Sequence, residues 1–336
     1  MTTASALFEI RDLRVSLSTG HELVRGVNLS VEAGKVLGVV GESGSGKSIS
    51  MLASIGLTPK HARVSGSVKL SGEEILGASP SKLRRIRGAE IGMVFQDPLT
   101  ALNPVIKIGD QIAEAVRLHH PDLSRGAAFD RALELLDLAS VPQPTRRARQ
   151  YSHELSGGMR QRAMIAMAVA NSPKVLIADE PTTALDVTVQ AQIMEVLSKL
   201  RETLGLALVL ITHDMGLIAG VADRVAVMYC GRVVETGSVE NLFEAARHPY
   251  TRGLLGCLPK VEGSNQKLVP ISGNPPSPAS RPSGCPFHPR CPLAQALCTT
   301  EEPALRDVDG TKTACHFAEL LRQPGALPRL GVMSQA

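Results

Sequence analysis

The stretch Val36-Leu37-Gly38-Val39-Val40-Gly41-Glu42-Ser43-Gly44-Ser45-Gly46-Lys47-Ser48 decides the fold of this chain. Its first five residues form a short apolar run that reads as a strand buried on both faces. The next eight fit G-x-x-x-x-G-K-[ST], a loop that leads from a strand into a helix N-terminus. Successive backbone N–H groups of such a loop point inward and can cradle β- and γ-phosphate oxygens, an approach that bulky side chains would block. Lys47 supplies a point charge and Ser48 a hydroxyl ligand for Mg²⁺. The competing reading is a flexible glycine- and serine-rich turn, and the complete pattern between an apolar run and a helix argues against it.

Working outward, the runs at 174–178 and 206–212 have the same buried-strand character, and the periodicity at 189–204 between them is helical. Residues 8–31 alternate apolar and polar positions around Ser18-Thr19-Gly20, as half-buried antiparallel strands do. Segments 108–118, 127–138 and 159–170 are periodic as helices, which predicts a helical subdomain inserted at about 98–170. The chain therefore reads as an α/β domain over 7–258, with a largely parallel sheet and an antiparallel N-terminal subdomain. From about Pro259 onward Pro, Gly and Ser become frequent and periodicity fades. Residues 259–336 are expected to form a small irregular C-terminal domain. No internal repeat is visible, so one nucleotide-binding unit is expected.

Composition narrows the function. Hydrophobic residues at 43% and charged residues at 20% are ordinary for a globular chain, which argues against general disorder. A net charge of +4, with six Phe, three Tyr and no Trp, leaves little for stacking bases, so no nucleic-acid partner is expected. The strongest apolar runs, 164–170 and 206–211, fall short of the roughly 18–20 residues a membrane span needs. Residues 1–8 carry no secretory pattern, so a cytoplasmic location is expected. In that compartment the six cysteines should be free thiols. Cys230 and Cys257 stand alone, whereas Cys285, Cys291, Cys298 and Cys315 cluster.

A second chemical constellation is Val175-Leu176-Ile177-Ala178-Asp179-Glu180, an apolar strand ending in two carboxylates. Beside a phosphate loop, Asp179 is the expected partner of Mg²⁺ and Glu180 the group that polarises an attacking water. By itself such a pair is more often an exposed acidic turn. A third is Leu155-Ser156-Gly157-Gly158-Met159-Arg160-Gln161. It reads either as a second phosphate-binding helix N-terminus or as an ordinary serine N-cap before a glycine pair.

This third segment resembles the signature of ATP-binding cassette ATPases. Three further elements follow in the order of that family: Gln96 after an apolar run at 91–95, Ala184-Leu185-Asp186 after the acidic pair, and His213 after the run at 206–212. The resemblance covers about 7–259 and implies a P-loop ATP-binding cassette fold with ATP and Mg²⁺ as cofactors. It implies nucleotide contacts from Gly41 to Ser48, with Ser48, Gln96 and Asp179 around the magnesium. Glu180, Gln96 and His213 are the implied catalytic group, Gln96 sensing magnesium and water and His213 contacting the γ-phosphate. Ser156, Gly157, Gly158 and Gln161 are implied to face the nucleotide of an opposing subunit, with Asp186 communicating across the pair.

Narrower passages are similar to dipeptide/oligopeptide permease ATP-binding subunits: Val94-Phe95-Gln96-Asp97-Pro98-Leu99-Thr100-Ala101-Leu102-Asn103-Pro104, residues 179–191, His248-Pro249-Tyr250-Thr251, and Gly284-Cys285-Pro286-Phe287-His288-Pro289-Arg290-Cys291. This branch implies a motor at the cytoplasmic face of the inner membrane. Its implied partners are two transmembrane permease subunits, a second ATP-binding subunit (a paralogue or a copy of this chain) and an extracytoplasmic substrate-binding protein. Nickel and other small-solute importers share parts of the pattern. A soluble signature-bearing ATPase of DNA repair or ribosome recycling is the alternative of another class, but two nucleotide units in one chain, coiled-coil insertions and zinc modules are all missing from view. One departure is Leu17, which stands where the family usually has an aromatic residue to stack on adenine; Val24 is a candidate apolar wall instead. The basic groups 82–87 and 146–149 read as solvated helix faces.

The spacing Cys285-x5-Cys291-x6-Cys298-x16-Cys315 lies in a proline-rich segment with little apolar periodicity, so something else is expected to staple it. Four thiolates suit zinc or an iron–sulfur cluster, and unligated thiols or a metal-sensing module are also compatible. The peptide-permease resemblance implies a [4Fe–4S] cluster on these four residues.

Overall fold

In the computed structural model, which describes residues 6–258 and 270–322, strand β1 (Phe8–Ser16) and strand β2 (Glu22–Val31) flank the expected turn. The Leu17 amide donates to the His21 carbonyl at 2.9 Å and closes it. Strand β3 (Val36–Val40) is buried at every position. Strands β4 (Arg63–Leu70) and β5 (Glu73–Glu74) complete a four-stranded sheet of order β2-β1-β4-β5. The expected boundary at Pro259 lies outside the described residues.

By contact the chain divides into two units, Met1–Glu9 with Ser30–Val36 and Lys69–Ile211, and Ile10–Leu29 with Leu37–Val68 and Thr212–Ala336. In the first unit, strands β6 (Ile91–Val94), β7 (Val175–Asp179) and β8 (Ala207–Thr212) run parallel, Ile91 opposite Val175 and Val175 opposite Ala207. Every residue of β7 and β8 is buried, as expected of parallel strands covered on both faces. The helices Gly157–Ala168 and Val187–Leu204 supply the crossovers.

The expected helical insertion is present in this unit. Helix Ile108–His119 buries Ile108, Ile112 and Val116, one face at four-residue spacing, and packs on helix Arg125–Leu138. Ser124 caps the latter, its hydroxyl accepting from the Ala127 amide at 3.1 Å. Each fully buried Ile or Leu here contributes roughly 1.5–3 kcal/mol over leaving it in water.

In the second unit β3 lies parallel to strand β9 (Arg224–Tyr229), and strand β10 (Arg232–Ser238) returns antiparallel with a bulge between Val233 and Glu235. The C-terminal segment then adds strands β11 (Arg306–Val308) and β12 (Thr311–Thr313), with β12 antiparallel to β10. This segment is not without an apolar anchor, which corrects the expectation from its weak periodicity. Phe287, Ala314, Ala318 and Leu321 are buried. Phe287 sits edge-on to Tyr229 at 5.4 Å, and Tyr229 meets Tyr250 at 4.7 Å, so the C-terminal residues share an aromatic core with β9. No helix among the described residues is long and apolar enough to cross a membrane.

Candidate functional site

The loop Gly41–Ser48 has the backbone its sequence demands. Gly44 and Gly46 hold φ of 77° and 101°, and a Cβ on Gly41 would lie 2.2 Å from the Met228 carbonyl oxygen. The loop opens into helix Lys47–Ser54, whose N-cap is Gly46 and whose first turn holds no acidic residue. A glycine N-cap offers no side chain to compete with a ligand and the first turn adds no negative charge, so the terminus is suited to an anion. The Ser45 hydroxyl is buried without a hydrogen-bond partner among the described residues. An orphaned donor inside a glycine loop suits phosphate oxygens. Lys47 is almost fully buried and donates to the Gly41 carbonyl at 2.7 Å and the Glu42 carbonyl at 3.0 Å.

At the end of β7 the two carboxylates do not simply alternate. Asp179 is buried, while Glu180 leaves the strand with φ of 46°, a left-handed conformation uncommon for a side chain of this kind. The Glu180 amide donates to the Ile211 carbonyl at 2.9 Å, tying the turn to β8. Glu180 Oε2 accepts from Gln96 Nε2 at 3.1 Å and from Thr183 Oγ1 at 3.0 Å. Two donors from different elements thereby fix one carboxylate, and Gln96, just beyond β6, is exposed.

Ser156 is the N-cap of helix Gly157–Ala168, its hydroxyl accepting from the Met159 amide at 3.4 Å. Gly158 is dictated by packing as well as by any ligand, since a Cβ there would meet Val189 at 2.7 Å. Gln161 is buried, with its amide nitrogen unpartnered among the described residues. Asp186 caps helix Val187–Leu204 through the Val189 amide at 2.9 Å. His213, following β8, is exposed, and Leu17 is half-buried. Val24 is fully buried, so its side chain belongs to the core and is no open wall for a base.

Sequence reasoning missed two residues that hold the phosphate loop from outside. Arg290 forms a two-pronged ion pair with Glu42, Nη1 to Oε2 at 2.6 Å and Nη2 to Oε1 at 2.8 Å. The Glu42 amide donates to the Tyr250 hydroxyl at 2.8 Å. Both residues fall within the quoted peptide-permease passages, but nothing in a linear pattern pairs them with Glu42.

Cys285, Cys291, Cys298 and Cys315 line one pocket with Phe287 and Phe317. Local hydrogen bonds seat three of them: the Cys285 amide donates to the Cys298 carbonyl at 2.8 Å, and the Cys291 amide to the His288 carbonyl at 3.2 Å. Burial, reinforced by the neighbouring thiols, pushes Cys291 up to about 12 and Cys315 to about 11. The donor set is soft sulfur in a shared pocket, which suits a thiolate-bound group. Among the described residues, however, no three or more His, Cys, Asp or Glu side chains are gathered as a set that could hold a metal ion.

The model of the family "ABC transporter" matches residues 24–183, and that of "Oligopeptide/dipeptide transporter, C-terminal region" matches residues 234–298. An oligopeptide transport ATP-binding protein, OppD, of Escherichia coli K12 is 45% identical over 93% of this chain and 93% of its own length. The OppD of Mycobacterium tuberculosis is 50% identical over 99% of this chain but 55% of its own length. The chain thus spans about half the length of that mycobacterial relative. Among solved structures, the dimeric MJ0796, described as a bacterial ABC transporter cassette, superposes with a TM-score of 0.62 at 29% identity, covering 69% of this chain and 98% of that one.

Proposed function

The chain belongs to the ATP-binding proteins of the ABC transporter family, in its oligopeptide/dipeptide branch, and from this we propose that it is the ATP-hydrolysing motor subunit of a peptide importer. The single observation that carries the ATPase reading is the loop Gly41–Ser48, with its left-handed glycines, glycine N-cap and orphaned Ser45 hydroxyl. Phosphates bind the loop amides and Lys47, and Ser48 and Asp179 are the oxygen donors assigned to Mg²⁺, a hard cation suited to them. When bound, the ion neutralises charge building on the transferred phosphoryl group. Glu180, held by Gln96 and Thr183, orients the attacking water and accepts its proton. His213 contacts the γ-phosphate. Ser156, Gly157, Gly158, Gln161 and Asp186 serve the nucleotide of a second ATP-binding subunit.

In this reading the chain works peripherally at the cytoplasmic face of the membrane, beneath two permease subunits, with an extracytoplasmic protein delivering peptide. Residues 7–258 are the ATP-binding domain and 259–336 the peptide-permease-type C-terminal domain. The names of the relatives and the match over 234–298 support peptide as the cargo. Purification of the tagged chain in mild detergent tests this. Membrane subunits should co-purify, and vesicles reconstituted with the complex should take up oligopeptide only with hydrolysable ATP. An active ATPase that retains no membrane subunit would overturn the transport reading.

We further infer that Cys285, Cys291, Cys298 and Cys315 hold a [4Fe–4S] cluster. Support comes from four soft donors lining one pocket and from spacings wider than the usual zinc pairs. The group would serve structure or regulation, since none of the phosphate-binding motifs contains these cysteines.

A further inference from the structure

We propose that Arg290 is a positioning residue for nucleotide: through Glu42 it holds the phosphate loop in its binding shape, so that ATP affinity depends on the C-terminal segment. This rests on the reading of Gly41–Ser48 as the ATP site.

Glu42 is the second residue of the loop, and it is tethered twice from outside. Its carboxylate takes both prongs of the Arg290 guanidinium, at 2.6 and 2.8 Å, and its amide is drawn to the Tyr250 hydroxyl at 2.8 Å. Its carbonyl is left facing Lys47, which donates to it at 3.0 Å. The Gly41–Glu42 peptide plane, whose carbonyl accepts from Lys47 at 2.7 Å and whose N–H donates to Tyr250, thus links the residue that binds phosphate charge to a tether beyond the loop. A phosphate loop works only if its amides stay convergent, and a glycine-rich backbone cannot enforce that alone.

The clamp itself is rigid. The Arg290 side chain is 4% exposed, against 27% for Glu42. Its Nε donates to the Ser272 carbonyl at 2.9 Å, and Nη1 also reaches the Tyr229 hydroxyl at 3.3 Å. The guanidinium lies 5.8 Å from the Phe287 ring centre and 5.9 Å from that of Tyr229. A planar fork fixed on several sides presents Glu42 with one geometry, which a lysine could not reproduce.

Charge gives the pair a second reason to exist. A carboxylate on an anion-binding loop repels the phosphates it serves unless a cation answers it. Arg290 answers Glu42 within hydrogen-bonding distance. The same segment carries Cys291 next in sequence, so whatever seats that cysteine also seats the clamp.

The test measures Mg-ATP binding to the purified full-length chain, using a fluorescent ATP analogue and competition by ATP, alongside thermal unfolding. Arg290→Gln should weaken binding by about tenfold or more at temperatures where the variant is still folded. Arg290→Lys should recover part of the loss. Glu42→Gln should weaken binding less, and the double variant should be no worse than Arg290→Gln alone, because both act through one contact. In the assembled ATPase the change should fall on KM more than on kcat. Wild-type affinity in a folded Arg290→Gln or Glu42→Gln chain would overturn the proposal, and Glu42→Gln keeps the test decisive should loss of the arginine prevent folding. Failure of the wild-type chain to bind ATP would instead overturn the underlying reading of the loop.

Discussion

Gln96 and Glu180, 84 positions apart in sequence, meet in one hydrogen bond of 3.1 Å. Strands β6 and β7 are parallel neighbours, so the residues just past their ends emerge side by side. The left-handed turn at Glu180 then brings its carboxylate to the glutamine. A carboxylate so fixed can do one thing that its amide cannot, which is to take a proton from water.

Glu180→Gln should therefore bind Mg-ATP and lose turnover by ~10²–10⁴-fold, the usual cost of removing a positioned general base. Equilibrium nucleotide binding and steady-state phosphate release in the assembled complex read the two effects separately. Turnover near the wild-type rate would remove Glu180 from the catalytic role.

Lys47→Ala should fail one step earlier, at nucleotide binding. It can be combined with Ser156→Arg, which places a bulky cation at the exposed start of helix Gly157–Ala168. Loss of the cap itself costs only about 1 kcal/mol, so the helix should survive. If two copies of this chain build shared sites, mixing the two variants should restore part of the activity, and wild-type activity should fall on dilution. Full activity in a dilute monomer is the outcome that contradicts a shared site.

Stability should decline with rising pH over a defined window. Glu235, on β10, is fully buried, and burial pushes its carboxyl from 4.5 up to about 7, with the Arg247 amide offsetting part of the effect. A raised carboxyl favours the folded state while protonated. Its contribution is complete below about pH 4.5 and is lost as pH rises through about 7. The swing is on the order of 3 kcal/mol. Urea unfolding of wild type and Glu235→Gln at pH 5 and pH 8 should show a narrower gap between the two pH values in the variant. An equal gap in both chains would mean that Glu235 does not carry the effect.

Anaerobically purified protein should be brown, absorb broadly near ~400 nm and contain about four irons per chain, as a four-cysteine cubane does. Cys291→Ser should bleach it. Colourless protein with stoichiometric zinc, or with no metal, would reject the cluster and leave the ATPase reading intact.

The phosphate loop, the acidic pair and the individual helices of the insertion were legible because each is encoded within a dozen or so neighbouring residues. Gly44 and Gly46 announce their left-handed backbone directly. Glu180 carries the same conformation without a glycine to signal it, because the turn is imposed by its tie to Ile211 on β8. The three-residue strands β11 and β12 are too short to leave a period. Arg290 lies 248 positions from Glu42, and only folding pairs them. Val24 reads from sequence as a wall for adenine, yet it is buried in the core, because the left-handed Gly26 at φ 71° breaks the alternation set by Val27, Leu29 and Val31.

The pairing of β12 with β10 has a practical side. Thr236 faces Lys312 and Glu235 faces Thr313, so the far side of β10 is hydrogen-bonded by the last described strands of the chain. A version cut after residue 258, keeping every phosphate-binding motif, would present that side as a bare ladder of donors and acceptors. Exposed strand edges recruit other strands. Such a fragment should associate or precipitate even at neutral pH, and its loss of ATP binding would then say nothing about the motifs themselves. Single substitutions in the intact chain are the sounder way to dissect it.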